Sequence, residues 1–132
     1  MKRLRTLVEW SKGSPLRYAF KGGRLVLVGE DAPAPVNYGF VPGLLNPADG
    51  EEVDACYLGP PLPPGTEAEG FLIGMVALSD GDHKLVLSPE PSPLDPEALA
   101  PLLAWFAPER KPTLIEAEAA WAWLMHLQGG EG

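Results

Sequence analysis

Residues 71–87 read FLIGMVALSDGDHKLVL. Phe71 to Leu78 is too long and too uniformly apolar for a half-exposed strand, so it reads as a buried one. Asp80-Gly81-Asp82 is a turn of hairpin type. Lys84 to Leu87 returns as a second strand. This pairing anchors the reading of the whole chain, because the segments on its N-terminal side have strand chemistry and those on its C-terminal side do not.

On the N-terminal side, residues 5–28 break into three short runs. RTLVEW alternates, PLRYAF is extended and RLVLV is rich in branched residues, with KGS and KGG as the turns between them. Residues 29–37, GEDAPAPVN, form a loop whose two prolines oppose regular structure. Tyr38 to Leu45 and Val53 to Leu58 are two further strands, separated by the acidic turn NPADGEE at 46–52 and followed by the rigid GPPLPPG.

On the C-terminal side the periodicity changes. SPEPSPLDP at 88–96 acts as a linker and helix entry, with Asp95 an N-cap and Pro96 at the first helical position. Leu99, Leu102, Leu103 and Phe106 recur at helical spacing, and Pro101 is expected to kink or shorten that helix. A second helix is expected from the capping box Thr113-x-x-Glu116 to Gly129. Its apolar stripe is Leu114, Ala117, Trp121 and Leu124, with Met125 at the edge. Strands first and helices last indicate an α+β fold in one domain over 1–132, with a β-region at about 5–88 and helices at about 95–128.

The chain has 132 residues and a formal charge of −8. Its few cations form no long run, which argues against nucleic acid and anionic membranes as partners. Cys56 is the only cysteine, so no internal disulfide forms. The basic N-terminus lacks the roughly 7–15 apolar residues of a secretory signal, and no stretch approaches the roughly 20 of a membrane span. A soluble cytoplasmic protein is the expectation. The 16 prolines lean towards thermostability.

Acidic residues gather in the two turns: Asp49, Glu51, Glu52 and Asp54 in one, Asp80 and Asp82 in the other. Alternate residues of a strand share a face, so Glu52 and Asp54 point the same way if the strand begins early. Spacing alone favours solvated turns. Should the turns converge, four or five carboxylates would repel one another and call for hard divalent cations, which take oxygen ligands.

The order of motifs resembles the family I soluble inorganic pyrophosphatases. Asn37-Tyr38-Gly39-Phe40 stands before Asp49-Gly50-Glu51-Glu52-Val53-Asp54, where that family has N-Y-G-[FY] before D-G-D-P-x-D-V. Leu58 to Gly65 is similar to its P-x-P-L-x-P-G exit, Ile73 to Asp80 to its V-G-V-L-x-M-x-D strand, and Asp82 to Val86 to D-A-K-[LV]-[IV]. Val8-Glu9, Lys12-Gly13-Ser14 and Arg17-Tyr18 are similar to the family's opening segment. The likeness runs over about residues 7 to 87.

This resemblance implies a five-stranded OB-like β-barrel with two C-terminal helices, and Mg²⁺-dependent hydrolysis of pyrophosphate or a related phosphoanhydride, with Mn²⁺ as a substitute ion. Asp49, Asp54 and Asp82 match metal ligands, Asp54 able to bridge two ions, and Asp80 matches a ligand of a substrate-bound ion. Glu51 stands at the general base. Tyr38 and Lys84 match residues that touch phosphate or the acid cluster, Arg17 stands at a phosphate-contacting lysine, and Glu9 matches a nearby acid. Arg110 and Lys111 are the nearest candidates for a Tyr-Lys pair on the C-terminal helix. Family members form hexamers, which leaves a homo-oligomer open here.

The departures are as informative. Ala19 stands where the family has Glu, Val28-Gly29-Glu30 where it has an Arg, and Pro33-Ala34-Pro35 where it has F-Y-P. The turn from Asp80 to Asp82 is shorter, and Glu51 replaces Asp. The metal ligands remain while much of the cationic and phenolic grip on phosphate is gone. Slow hydrolysis, or a preference for another phosphoanhydride, is the first expectation. A non-catalytic paralogue that keeps the fold and a metal is the second. An OB-type binding module is the third, disfavoured by the charge because such binders need a basic groove. His83 reads as an exposed turn residue, and Cys56 as a small core side chain.

Overall fold

The computed structural model describes residues 2–129. In chain order its elements are β1 (Arg3–Trp10), β2 (Leu16–Lys21), β3 (Arg24–Glu30), β4 (Asn37–Asn46), β5 (Glu51–Tyr57), β6 (Glu67–Ala77), β7 (Lys84–Ser88), α1 (Ala100–Trp105), a 3₁₀ turn (Pro108–Arg110), β8 (Thr113–Glu116) and α2 (Ala117–Gly129).

Five strands close on themselves in the order β1-β4-β5-β7-β6, with β6 pairing back onto β1. Only the β5–β7 contact is parallel; the other four are antiparallel. This is the expected five-stranded OB-like barrel. The length of β6 makes closure workable: Glu67–Phe71 pair with β1, and Gly74–Ala77 pair with β8 along the same edge. The β2–β3 hairpin forms a separate two-stranded sheet.

Side-chain alternation splits the barrel wall into two chemistries. Val53, Ala55 and Tyr57 of β5, with Leu85 and Leu87 of β7, join a cluster that α2 completes through Ala120 and Leu124. The intervening Cys56 and Val86 join a second cluster, with Ile73, Val76, Leu99 and Leu102, that α1 completes. The period of two therefore carries Asp54 and Lys84, which pair across β5 and β7, to the α1 side.

Two residues of the Asn-Tyr-Gly motif are structural. Buried Asn37 accepts the N–H groups of Lys12 and Leu62 at 3.0 and 2.9 Å and donates to the carbonyls of Tyr57 and Pro60. It thus satisfies backbone that the proline-rich exit would leave orphaned. Gly39 permits β1 and β4 to approach so closely that a Cβ would lie 1.9 Å from the Leu7 carbonyl oxygen.

Three helical expectations change. Thr113–Glu116 is not a capping box but strand β8, whose backbone pairs with β6; tertiary hydrogen bonding wins over the local pattern, and the helix starts at Ala117. Asp95 is not the N-cap of α1. Its carboxylate accepts the Glu97 N–H at 3.1 Å in a preceding turn, and the N-cap is Leu99. Pro101 accordingly lies in the first helical turn, where its missing N–H costs nothing, rather than inside the helix. Among the described residues, no helix is long and apolar enough to cross a membrane.

Candidate active site

The acidic turn and the Asp80–Asp82 turn meet. Asn46, at the end of β4, ties them: its amide donates to the Gly81 carbonyl at 3.2 Å while its oxygen accepts the Ala48 N–H. Lys84, 3% exposed, rises from β7 between the turns. Its Nζ lies 2.6 Å from Asp54 Oδ2 and 2.8 Å from Asp82 Oδ2. The Tyr38 hydroxyl donates to the same Asp54 oxygen at 3.0 Å. Arg110, from the 3₁₀ turn, approaches Asp80 Oδ2 through Nε at 2.9 Å and Asp82 Oδ2 through Nη2 at 3.4 Å.

The electrostatics follow from that geometry. Burial raises the Asp54 carboxyl above its ordinary range, and the Lys84 ammonium and Tyr38 hydroxyl only partly offset it. Burial alone would weaken the Lys84 ammonium, but Asp54 and Asp82 outweigh it and hold the proton more tightly. Tyr38 is pushed well above its usual value by burial and by the Asp54 charge, so it remains a donor. Asp80 is lowered by the Asp82 N–H and by Arg110.

Two cavities flank the Tyr38–Asp54 hydrogen bond. One, of about 200 Å³, is lined by Glu9, Asp49, Glu51, Glu52 and Asp54, with the rings of Phe20 and Phe40. No cation lines it. Glu9 Oε2 accepts the Phe20 N–H at 2.7 Å, Glu52 Oε2 the Gly43 N–H at 2.6 Å, and Asp49 Oδ1 the Glu51 N–H at 2.9 Å. Burial raises Glu9, and the Asp54 and Glu52 charges raise it further. The other cavity, of about 330 Å³, is lined by Trp10, Tyr38, Trp105 and Phe106, with Arg17, Asp31 and Arg110.

The sequence-derived residues therefore divide. Glu9, Asp49, Glu51 and Asp54 share one cavity, Arg17, Tyr38 and Arg110 the other, and Lys84 lies between the turns. Asp80 and Asp82 are ion-paired to arginine and lysine instead of facing the acidic cavity. Lys111 is exposed, has φ +52, and makes no ion pair among the described residues. His83 is not a free turn residue: its Nδ1 accepts the Leu78 N–H at 2.9 Å and its ring meets Trp123 edge-on at 5.0 Å. Asp31, Trp10 and Trp105 were not marked by any motif. Trp105 lies outside the apolar stripe read for this helix, and nothing in the spacing says that its ring meets Trp10 and Tyr38 at 5.1 and 5.3 Å.

The donor set of the acidic cavity fits a hard divalent cation. Its side-chain donors are all oxygens, and of its five carboxylates Asp54 shares its charge with Lys84 across the wall. Among the described residues no group of three or more acidic, histidine or cysteine side chains is gathered closely enough to hold a metal ion by itself. Mg²⁺ does not require one, since it retains several waters and takes one or two carboxylates together with substrate phosphate.

No protein-family model matches the sequence, and no curated protein matches it. Solved structures do match. An inorganic pyrophosphatase from Helicobacter pylori is 24% identical, with a TM-score of 0.82 over 97% of this chain and 95% of that one. One from Thermus thermophilus is 19% identical, with a TM-score of 0.80 over 96% and 92%. One from Coxiella burnetii is 20% identical, with a TM-score of 0.78 over 90% and 89%. Barrel, flanking helices and strand order together give this chain the fold of the inorganic pyrophosphatases.

Proposed function

We propose that the chain is a divalent-metal-dependent phosphoanhydride hydrolase, acting on pyrophosphate or a relative of it. The observation that carries this reading is the meeting of a cavity walled by five carboxylates with cationic and phenolic donors at one point, the Tyr38–Asp54–Lys84 contact. The solved pyrophosphatases of the same fold support it.

In this reading Asp49 and Asp54 hold the ion, Mg²⁺ or Mn²⁺, with Glu9 and Glu52 adding negative charge. When bound, the ion neutralises phosphate charge and acidifies water. Glu51 takes the proton of the attacking water. Tyr38 donates its one hydroxyl proton to Asp54 and so orients that carboxylate, and Lys84 keeps Asp54 ionised. Arg17 and Arg110 are the cations available to phosphate oxygens, Arg110 standing in for the arginine that Val28-Gly29-Glu30 lacks. Asp80 and Asp82 orient Arg110 and Lys84 rather than ligating metal. Because Glu51 is one methylene longer than an aspartate, and a shift of about 1 Å costs roughly 10²-fold, turnover is expected to be slow.

Phosphate release in Mg²⁺ tests the reading. Release by the parent protein, reduced about 10²–10³-fold in Asp54→Asn, is the expected outcome. Equal release by both proteins, or none from any phosphoanhydride, contradicts it.

A further inference from the structure

The β2–β3 hairpin stands outside the barrel as its own two-stranded sheet, and β3 has no neighbouring strand on its far side. Of the six large apolar side chains exposed among the described residues, Leu16, Val26, Leu27 and Val28 belong to this hairpin. Val26, Leu27 and Val28 are consecutive and 37%, 52% and 44% exposed, so both faces of β3 are open as well as its edge. Phe20 sends its N–H out of the hairpin to Glu9 Oε2, so Phe20 and Leu25 form a pair that exchanges no hydrogen bonds. Leu25 therefore points its own N–H and C=O away from β2, and alternation gives Leu27 the same direction. Among the described residues, no backbone group outside the hairpin bonds to the backbone of 24–30.

Exposed edges are usually blunted by charge, proline or bulges. Val28 forms a bulge opposite Arg17 and Tyr18, yet no charge or proline interrupts Leu25 to Gly29. The charges sit at the two ends. Arg24 opens β3 and Glu30 closes it; both are exposed, and neither makes an ion pair among the described residues. A strand that is basic at one end, acidic at the other and apolar between is complementary to itself run antiparallel.

We infer that β3 pairs edge to edge with β3 of a second copy of the chain, antiparallel about a two-fold axis near Leu27. Leu27 then meets Leu27 of the other copy, Val26 and Val28 flank that contact, and Arg24 of each copy comes to the Glu30 end of the other. The assembly closes at two copies, because the outer edge of β2 is already turned to β1 through Glu9. An edge contact of this length falls at the small end of protein interfaces, so a micromolar dimer rather than a nanomolar one is expected.

Sedimentation velocity over roughly 1–100 µM tests the pairing. The parent protein is expected to pass from monomer to dimer in that range, with amide exchange at Leu25 and Leu27 slowing as the dimer fills. Leu27→Arg puts like charges at the axis and is expected to weaken association at least about tenfold. Arg24→Glu sets an acid against Glu30 and is expected to weaken it as well, while Arg24→Glu combined with Glu30→Arg restores the complement and recovers association. All three positions are exposed, and position 24 faces Lys21 across the turn of its own hairpin, so these substitutions leave the monomer's core untouched. A parent that stays monomeric throughout overturns the inference and leaves the edge to a strand of another protein. Association that survives Leu27→Arg at full strength uses another face, which also overturns it. No recovery in the double variant overturns the antiparallel arrangement.

Discussion

The two cavities that meet at Tyr38 are made of opposite materials. One is walled by five carboxylates with no cation among them; the other is walled by four aromatic rings and two arginines. The backbone explains how they come to be neighbours. β5 and β7 present Asp54 and Lys84 on the same side of the barrel wall, and α1 covers only the part of that side beyond them. The segments before α1 supply all five acids of the first cavity and Trp10, Arg17, Asp31 and Tyr38 of the second; the segment from α1 through the 3₁₀ turn adds Trp105, Phe106 and Arg110. The difference teaches that the acidic half is complete with the barrel and the β2–β3 hairpin, while the aromatic half requires the C-terminal elements to dock.

Variants at the junction break this comparison most sharply. Lys84→Met leaves Asp54 and Asp82 without their shared buried partner, so a loss of about 3–5 kcal/mol in unfolding free energy is expected, read by urea titration. The loss of activity in Asp54→Asn, about 10²–10³-fold, comes next. Glu9→Gln isolates the acidic half. Because burial raises the Glu9 carboxyl in the folded state, the parent loses stability as pH rises from the unfolded value of about 4.3 through the folded one. The glutamine variant lacks that loss and keeps an oxygen for the Phe20 N–H. Thermal melts are therefore expected to show the variant no less stable than the parent at pH 7.5, with any advantage fading towards pH 4. The smallest effect belongs to the aromatic half: Asp31→Asn breaks an exposed ion pair worth at most about 1 kcal/mol, but lowers the KM for pyrophosphate by removing a repelling charge.

The strands were legible because apolar or alternating runs are punctuated by glycine-bearing and acidic turns, and their closure into a barrel was implied by the resemblance of the ordered motifs. The C-terminal third was less so. Thr113-x-x-Glu116 satisfies the grammar of a helix start, and only the free edge of β6 makes it a strand. Pro101 could be read as a kink because the turn beginning at Asp95 looks helical in sequence. In the candidate site, the convergence of Asp54, Asp82 and Lys84 could be read from ordered motifs on adjoining strands. The pairing of Asp80 and Asp82 with Arg110 could not, since it depends on where a 3₁₀ turn nearly thirty residues later comes to rest. Asp31 and Trp105 were hidden for the same reason: loop ends and short helices carry no periodicity that points to a cavity.

The most direct test is anomalous diffraction from crystals soaked in Mn²⁺ with a pyrophosphate analogue. The account expects a manganese peak in the cavity bounded by Glu9, Asp49, Glu51 and Asp54. A peak only at Asp80 and Asp82 with Arg110 displaced, or no peak on the chain at all, would contradict it.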